Sequence, residues 1–351
     1  MVVDDSAVTR GLLTRALESD PEISVVASVG DGQMAVAAIR RQDIEIVVLD
    51  IEMPVMDGLT ALPQLIEARP GVQVLMASAL TARGAVVSLK ALSAGAADYV
   101  TKPGTSSLAS ATEFKRDVVA KVRALAQARR AARGEAQPAP DGGFDARTAP
   151  IRLRPMPGER PEAIAIGAST GGPQALLRLL KSVAGLWQPI FITQHMPATF
   201  TTALAEHITR LCGMCATEAV DGEPVESGRV YVAPGDFHML VEENDGARRL
   251  RLARTPAENF CRPSLDPMLR SIACVYGRRA LCAILTGMGQ DGLKGSEALV
   301  AAGGAVIAQD EKTSVVWGMP GAVATAGLCS AVLPIDQLGP TIARLAARWA
   351  A

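Results

Sequence analysis

The residues that could do chemistry fall into two groups. In the second half of the chain, Ser169 lies within Gly167-Ala168-Ser169-Thr170-Gly171-Gly172-Pro173. A short apolar alternation, residues 163–166, precedes it, and a helical pattern carried by Leu176, Leu177 and Leu180 follows. A hydroxyl on such a strand-to-helix turn sits at the positive end of a helix, where free N–H groups favour negative charge. Gly-x-Ser-x-Gly in that setting reads as a nucleophile elbow. It reads equally as a glycine-rich turn with Ser169 as helix N-cap. A serine nucleophile needs a base, and the chain has three histidines, His195, His207 and His238. His195 ends the apolar run PIFITQH, so it stands at the carboxyl edge of a strand, and position favours it. His207, beside Glu206 in a helical pattern, reads as exposed. His238 opens a strand after the loop APGDF. A third group must orient the imidazole. Asp291, in AILTGMGQDGLKG, follows another apolar strand and glycine turn, although taken alone it reads first as the N-cap of a helix beginning near Leu293. The backbone N–H groups of Thr170 and of Met288, in the Gly287-Met288-Gly289 turn, could stabilise an oxyanion.

The second group lies near the N-terminus. Asp4 and Asp5 follow a first apolar run, Asp50 ends a third in VVLDIEMPVMDG, Ser78 ends a fourth, and Lys102-Pro103 follows a fifth. Three carboxylates brought together repel one another unless a hard cation joins them, and Mg2+ prefers such oxygen ligands. With the lysine as a point charge for an anion, such a set can accept a phosphoryl group. Singly, these acids read as helix caps. Their joint placement at strand ends is what carries the reading.

The elements that must position these residues are α/β throughout. Residues 1–125 alternate strand-like runs (1–3, 23–29, 44–49, 72–77, 99–100) with helical patterns (8–17, 33–41, 59–68, 84–92, 108–128). This predicts a doubly wound (βα)5 parallel sheet with its site at the carboxyl ends of the strands. Residues 126–161 lose periodicity and are rich in proline, glycine and scattered charge, as a linker would be. Residues 162–351 are again α/β and mostly parallel, with an antiparallel element around 230–252. The net charge of −1 over 351 residues argues against a nucleic-acid partner. There is no apolar run long enough for membrane insertion and no basic signal segment, so a cytoplasmic protein is expected. Six scattered cysteines, with Cys212 and Cys215 a lone C-x-x-C, read as buried thiols rather than a zinc site. Ser-His-Asp chain order differs from that of α/β-hydrolases.

DDSAVTR, VVLDIEMPVMDGL, Ser78 and GAADYVTKP resemble the receiver domain of bacterial two-component response regulators. The resemblance implies that Asp50 is the phosphoacceptor, that Asp4, Asp5 and Asp50 hold Mg2+, that Lys102 contacts the phosphoryl group, and that Ser78 and Tyr99 report its presence. Only residues 1–3 precede the acid pair, fewer than receivers usually have. IGASTGGP, FITQHMP, VYVAPGDFHM and LTGMGQDG resemble the catalytic domain of chemotaxis protein-glutamate methylesterases, the CheB family. Receiver, linker and this domain match that family's whole architecture. The resemblance implies Ser169 as nucleophile, His195 as base and Asp291 as orienting acid, with no cofactor in the catalytic domain. It further implies methyl-accepting chemoreceptors as substrate, a chemotaxis histidine kinase as phosphodonor, and deamidation of receptor glutamines as a second activity. Where the family often has a histidine before Arg-Pro-Ser, this chain has Cys261. That departure lies outside the triad and bears on docking or pocket shape. A dinucleotide-binding enzyme is the first rival, but GASTGG lacks the G-x-G-x-x-G spacing and Gln194-His195 replaces the ribose-binding acid. A non-catalytic response regulator is the second, and the complete triad argues against it.

Overall fold

A computed structural model describes residues 1–102, 108–133, 151–156 and 158–347. Residues 134–150 and 157 of the expected linker, Pro103 and residues 348–349 of the last expected helix lie outside the described residues. The chain forms two compact units, residues 1–138 and 139–351.

The first unit runs β1 (Val2–Val3), α1 (Ala7–Leu17), β2 (Ser28–Val29), α2 (Gly32–Ile39), β3 (Ile46–Asp50), α3 (Gly58–Ala68), β4 (Gln73–Ala79), α4 (Ala82–Ser93), β5 (Asp98–Lys102) and α5 (Leu108–Ala132). Four helices begin where a side chain closes the first turn: Ser6, Asp31, Asp57 and Thr81 accept from the N–H groups of Thr9, Met34, Thr60 and Gly84. All strand pairs are parallel, in the order β2-β1-β3-β4-β5. The strand expected over 23–29 is reduced to two residues. Its partner β1 is itself only two residues long, so pairing stops at Val2↔Ser28 and Val3↔Val29.

The second unit runs β6 (Ala163–Ala168), α6 (Gly172–Ser182), β7 (Ile190–Gln194), α7 (Ala198–Cys212), β8 (Cys215–Glu218), β9 (Arg229–Val232), β10 (His238–Asn244), β11 (Ala247–Ala253), α8 (Leu265–Tyr276), β12 (Ala280–Ile284), α9 (Leu293–Ala301), β13 (Ala305–Gln309), α10 (Met319–Thr325), β14 (Ala331–Leu333) and α11 (Ile335–Ala347). Seven strands form one parallel sheet, β14-β13-β12-β6-β7-β9-β8. The antiparallel element is the separate hairpin β10–β11, and Val230 belongs instead to parallel β9. The sequence reading passed over β8, β14 and α10 because they are short and carry little apolar periodicity. The chain also joins this unit before residue 162: Arg154 N–H donates to the Cys329 carbonyl at 2.9 Å, and Ser330 Oγ to the Pro155 carbonyl at 3.2 Å.

Central strands β6 and β12 are buried along their whole length, which is why they read as unbroken apolar runs. Phe191 and Tyr231 stack on neighbouring strands with ring centroids 5.7 Å apart, and Met268, Leu269 and Ile272 of α8 belong to the same core. Two solvent expectations are corrected. His207 is buried, because it shares the inner face of α7 with Phe200, Leu204 and Ile208. Cys215 and Cys274 are exposed, while Cys212, Cys282 and Cys329 are buried. Among the described residues no helix is long and apolar enough to cross a membrane.

In both sheets the chain first builds outward on one side of its opening strand and then crosses to the other. From β6 it proceeds to β7, then to the edge strand β8 and back to β9 between them, before it returns to β12, β13 and β14. From β1 it goes to β2, then returns to β3, β4 and β5. A crevice opens outside the strand ends at such a reversal, and ligands bind there in open α/β sheets. Ser169 and Asp4 follow the two opening strands.

Candidate active site

Ser169 leaves β6 on a turn fixed from two sides. Its N–H donates to the Thr286 carbonyl at 3.0 Å, and Thr286 Oγ1 donates to the Thr170 carbonyl at 2.9 Å. Gly171 takes φ +74° to turn the chain into α6. Gly287 must be glycine for a different reason. A Cβ there would lie 2.8 Å from Ser169 Cβ, so only a bare backbone lets the turn after β12 approach the serine. Because Thr286 occupies the Ser169 N–H, the first donor free for an oxyanion is Thr170 N–H. Among the described residues it has no acceptor, nor does Met288 N–H.

His195 follows β7, and its N–H donates to the Ala168 carbonyl at 3.2 Å, so serine and histidine leave neighbouring strands at the same level. Its Nε2 lies 2.7 Å from Asp291 Oδ2. Asp291 is not the cap of its own helix. Its Oδ2 accepts from Leu265 N–H at 2.6 Å, and its Oδ1 from Ser264 Oγ at 2.6 Å and Asp266 N–H at 3.3 Å. It therefore caps α8, while Asp266 Oδ1, accepting from Gly295 N–H at 2.6 Å, caps α9. Asn259 Nδ2 bridges both acids, 2.8 Å from each. Burial pushes the Asp291 carboxyl up, but its bond and charge pairing with His195, then Leu265 N–H and Ser264, hold it down at about 2. Burial likewise opposes charge on His195, yet the Asp291 bond, reinforced by Cys261, raises the imidazole to about 10.

An ionised Asp291 can only accept, so Nε2 carries a proton and Nδ1 is the nitrogen left to take one. Cys261 Sγ lies 3.4 Å from that Nδ1, whereas Ser169 Oγ makes no hydrogen bond among the described residues. Cys261 thus stands against the histidine itself. Its neighbours in sequence give no sign of this, because five elements, α7 to β11, separate Cys261 from His195 and only tertiary packing brings the two together. His238 is buried and structural: Ser264 N–H donates to its Nδ1 at 3.1 Å, leaving its Nε2 proton for the Pro256 carbonyl at 3.1 Å. It holds in place the serine that donates to Asp291.

In the first unit, carboxylate oxygens of Asp4, Asp5 and Asp50 lie within 4.8 Å of one another. Lys102 Nζ is 2.7 Å from both Asp4 Oδ2 and Asp50 Oδ1. Burial pushes the Asp50 carboxyl up despite that lysine. Ser78 is buried, its Oγ donating to the Gly84 carbonyl at 3.2 Å. Tyr99 is buried, and Lys121 Nζ donates to its carbonyl at 2.7 Å. An all-oxygen donor set beside one cation suits a hard divalent ion.

Residues 164–342 match the CheB methylesterase family, and residues 1–112 match the response regulator receiver domain. The chain belongs to the CheB methylesterase family. The protein-glutamate methylesterase/protein-glutamine glutaminase of group 2 operon of Rhodospirillum centenum is 58% identical over 372 residues, covering 100% of this chain and 94% of that protein. The protein-glutamate methylesterase/protein-glutamine glutaminase of Azospirillum brasilense is 60% identical, covering 100% of this chain and 93% of that protein. The crystal structure of the Thermotoga maritima CheB methylesterase catalytic domain superposes with a TM-score of 0.52 at 37% identity, covering 54% of this chain and 99% of that one. As a CheB methylesterase, the chain is an enzyme that joins a receiver domain to a methylesterase domain.

A base acts only when unprotonated, so with His195 as the expected base its raised pKa should put the rising limb of kcat/KM above the 6.5 of an ordinary histidine. Asp291→Asn removes the charge that raises it. The limb should move toward 6.5 while kcat falls by on the order of ten-thousandfold, as when the acid of a serine triad becomes an amide; pH–rate profiles of the two proteins check this. In the receiver, Lys102→Met leaves two buried carboxylates facing each other and should cost about 3 kcal/mol, read as a lower urea midpoint.

Proposed function

We propose that this enzyme hydrolyses glutamate methyl esters on chemoreceptors, deamidates receptor glutamines, and is switched on by phosphorylation at Asp50. The observation that carries the proposal is the His195–Asp291 pair beside the Ser169 turn at the sheet's reversal. His195 Nδ1 takes the Ser169 proton as Oγ attacks the ester carbonyl. The carbonyl oxygen gains the negative charge, which the Thr170 and Met288 N–H groups receive. His195 then returns the proton to the departing methanol, and water, activated by the same nitrogen, frees the glutamate and restores Ser169.

Asp50 is the acceptor in the receiver, because it alone of the three acids ends a strand with Lys102 on one oxygen. Asp4, Asp5 and Asp50 would hold Mg2+, which supplies charge neutralisation for the incoming phosphoryl group. Lys102 meets the anion, and Ser78 and Tyr99 respond to it. The phosphodonor is a chemotaxis histidine kinase, in adaptation of chemotaxis or a related chemosensory pathway. The domain plan is receiver 1–125, linker 126–161 and catalytic domain 162–351, in the cytoplasm.

Methanol release from methylated receptor tests the esterase. Ser169→Ala should fold as wild type and lose turnover by several orders of magnitude; substantial residual activity would remove Ser169 as nucleophile. Asp50→Asn should keep basal turnover and lose the stimulation that a small phosphodonor with Mg2+ gives wild type. Undiminished stimulation would place the switch elsewhere.

A further inference from the structure

The chain has six cysteines, and they stand in three different settings. Cys212, Cys282 and Cys329 are buried, and burial pushes each of their thiols up, as for inert structural cysteines. Cys215 and Cys274 are exposed, and among the described residues neither sulfur makes a hydrogen bond. Cys261 is half-buried, and its Sγ lies 3.4 Å from His195 Nδ1. Behind the imidazole, His195 Nε2 lies 2.7 Å from Asp291 Oδ2. A thiol, an imidazole and a buried carboxylate thus stand in line, the order in which a cysteine nucleophile is activated. Ser169 Oγ makes no hydrogen bond among the described residues, so sulfur is the nucleophile that Nδ1 touches.

The backbone holds the thiol in that place. Cys261 N–H donates to the Glu258 carbonyl at 2.9 Å, and Glu258 N–H to the Cys261 carbonyl at 3.2 Å. Glu258 is tied to Arg270 at 2.5 Å, and Asn259, inside the same turn, donates to Asp291 and Asp266 at 2.8 Å each. Phe260, the neighbour of Cys261, is exposed, so the turn reaches solvent while its other residues touch the triad. A half-buried sulfur admits a small electrophile. A peroxide is such an electrophile, and it needs from the protein only a proton relay, which His195 supplies.

We propose that Cys261 is an oxidation site at which a peroxide silences the esterase, with His195 as the base. The effect on turnover rests on the receptor-esterase reading above; the oxidation itself does not. His195 Nδ1 takes the thiol proton as Sγ attacks one oxygen of hydrogen peroxide. The S–O bond forms, the O–O bond breaks, and the leaving oxygen takes that proton and departs as water. Sulfur gives up two electrons, the peroxide gains them, and Cys261 becomes a sulfenic acid. The added oxygen stands beside Nδ1 and withholds it from Ser169. A small thiol reverses the change: it displaces water to form a mixed disulfide, and a second thiol frees Cys261.

The test treats the full-length protein with hydrogen peroxide. Dimedone captures sulfenic acid, mass spectrometry maps it, and methanol release from methylated receptor reads turnover. Wild type should carry dimedone on Cys261 and lose turnover by about tenfold or more, and dithiothreitol should restore it when dimedone is left out. Cys261→Ala, whatever its own rate, should keep that rate through the treatment. A variant with both Cys215→Ala and Cys274→Ala should be silenced as wild type is. In His195→Gln, which lacks the base, Cys261 should take up dimedone about a hundredfold more slowly. Dimedone confined to other cysteines would overturn the proposal, as would equal loss of turnover in Cys261→Ala or a loss that dithiothreitol leaves in place. So would labelling of His195→Gln at the wild-type rate. Wild type that releases no methanol before treatment would instead overturn the esterase reading, and the dimedone map would still decide the oxidation site.

Discussion

The catalytic unit depends on one buried carboxylate. Asp291 receives Leu265 N–H, Asp266 N–H, Ser264 Oγ and Asn259 Nδ2 as well as His195 Nε2. An isolated carboxylate in such a place would cost many kcal/mol and take up a proton. Here the start of α8 supplies both donors and the positive end of a helix dipole, so the charge is held by the fold before the imidazole arrives. The same bonds fix α8 against the sheet. Removing the acid would therefore disturb packing and chemistry together, which is why the amide, rather than alanine, isolates its electrostatic part.

Topology decides that these groups can meet. Ser169, His195 and Asp291 are separated by long stretches of chain, but they follow β6, β7 and β12, three neighbours at the reversal of one parallel sheet. The receiver uses the same geometry on a smaller scale: Asp4 follows β1 and Asp50 ends β3, strands that pair directly. Two unlike chemistries thus occupy the same kind of place, because a parallel sheet with crossovers on both faces opens a crevice only where its winding changes sides.

How much of this was legible in the sequence follows from locality. The strand-to-helix corners announce themselves, because a buried parallel strand is an apolar run and its turn needs glycine; the strand-end positions of Ser169, His195, Asp50 and Asp291 are legible that way. Contacts made by tertiary packing were not. Nothing in the sequence from Glu258 to Cys261 signals a type I′ turn, since Phe260 stands where glycine would mark it, and so neither Asn259 nor the Cys261 contact with His195 is legible there. Asp291 was read as a cap for α9 because a sequence shows only the next helix, whereas the fold presents α8. His207 is a different kind of miss: Phe200, Leu204 and Ile208 share its face at helical spacing, so the period was there to be used.

The elevated His195 pKa bears on why one site could serve esters and amides alike. A strongly basic imidazole is unprotonated in only a small fraction of enzyme near neutral pH, which slows the first proton transfer. Its conjugate acid is held in place by Asp291, and in the proposed mechanism it must still yield a proton to the leaving group. Methoxide and an amide nitrogen are both poor leaving groups, and both depart only as they are protonated. The balance shifts with the leaving group: an ester needs the acid late, whereas an amide needs it throughout the breakdown of the tetrahedral species. Cys261 adds to the same balance. Its sulfur lies 3.4 Å from Nδ1, so a thiol at this position helps to raise the imidazole from the side opposite Asp291.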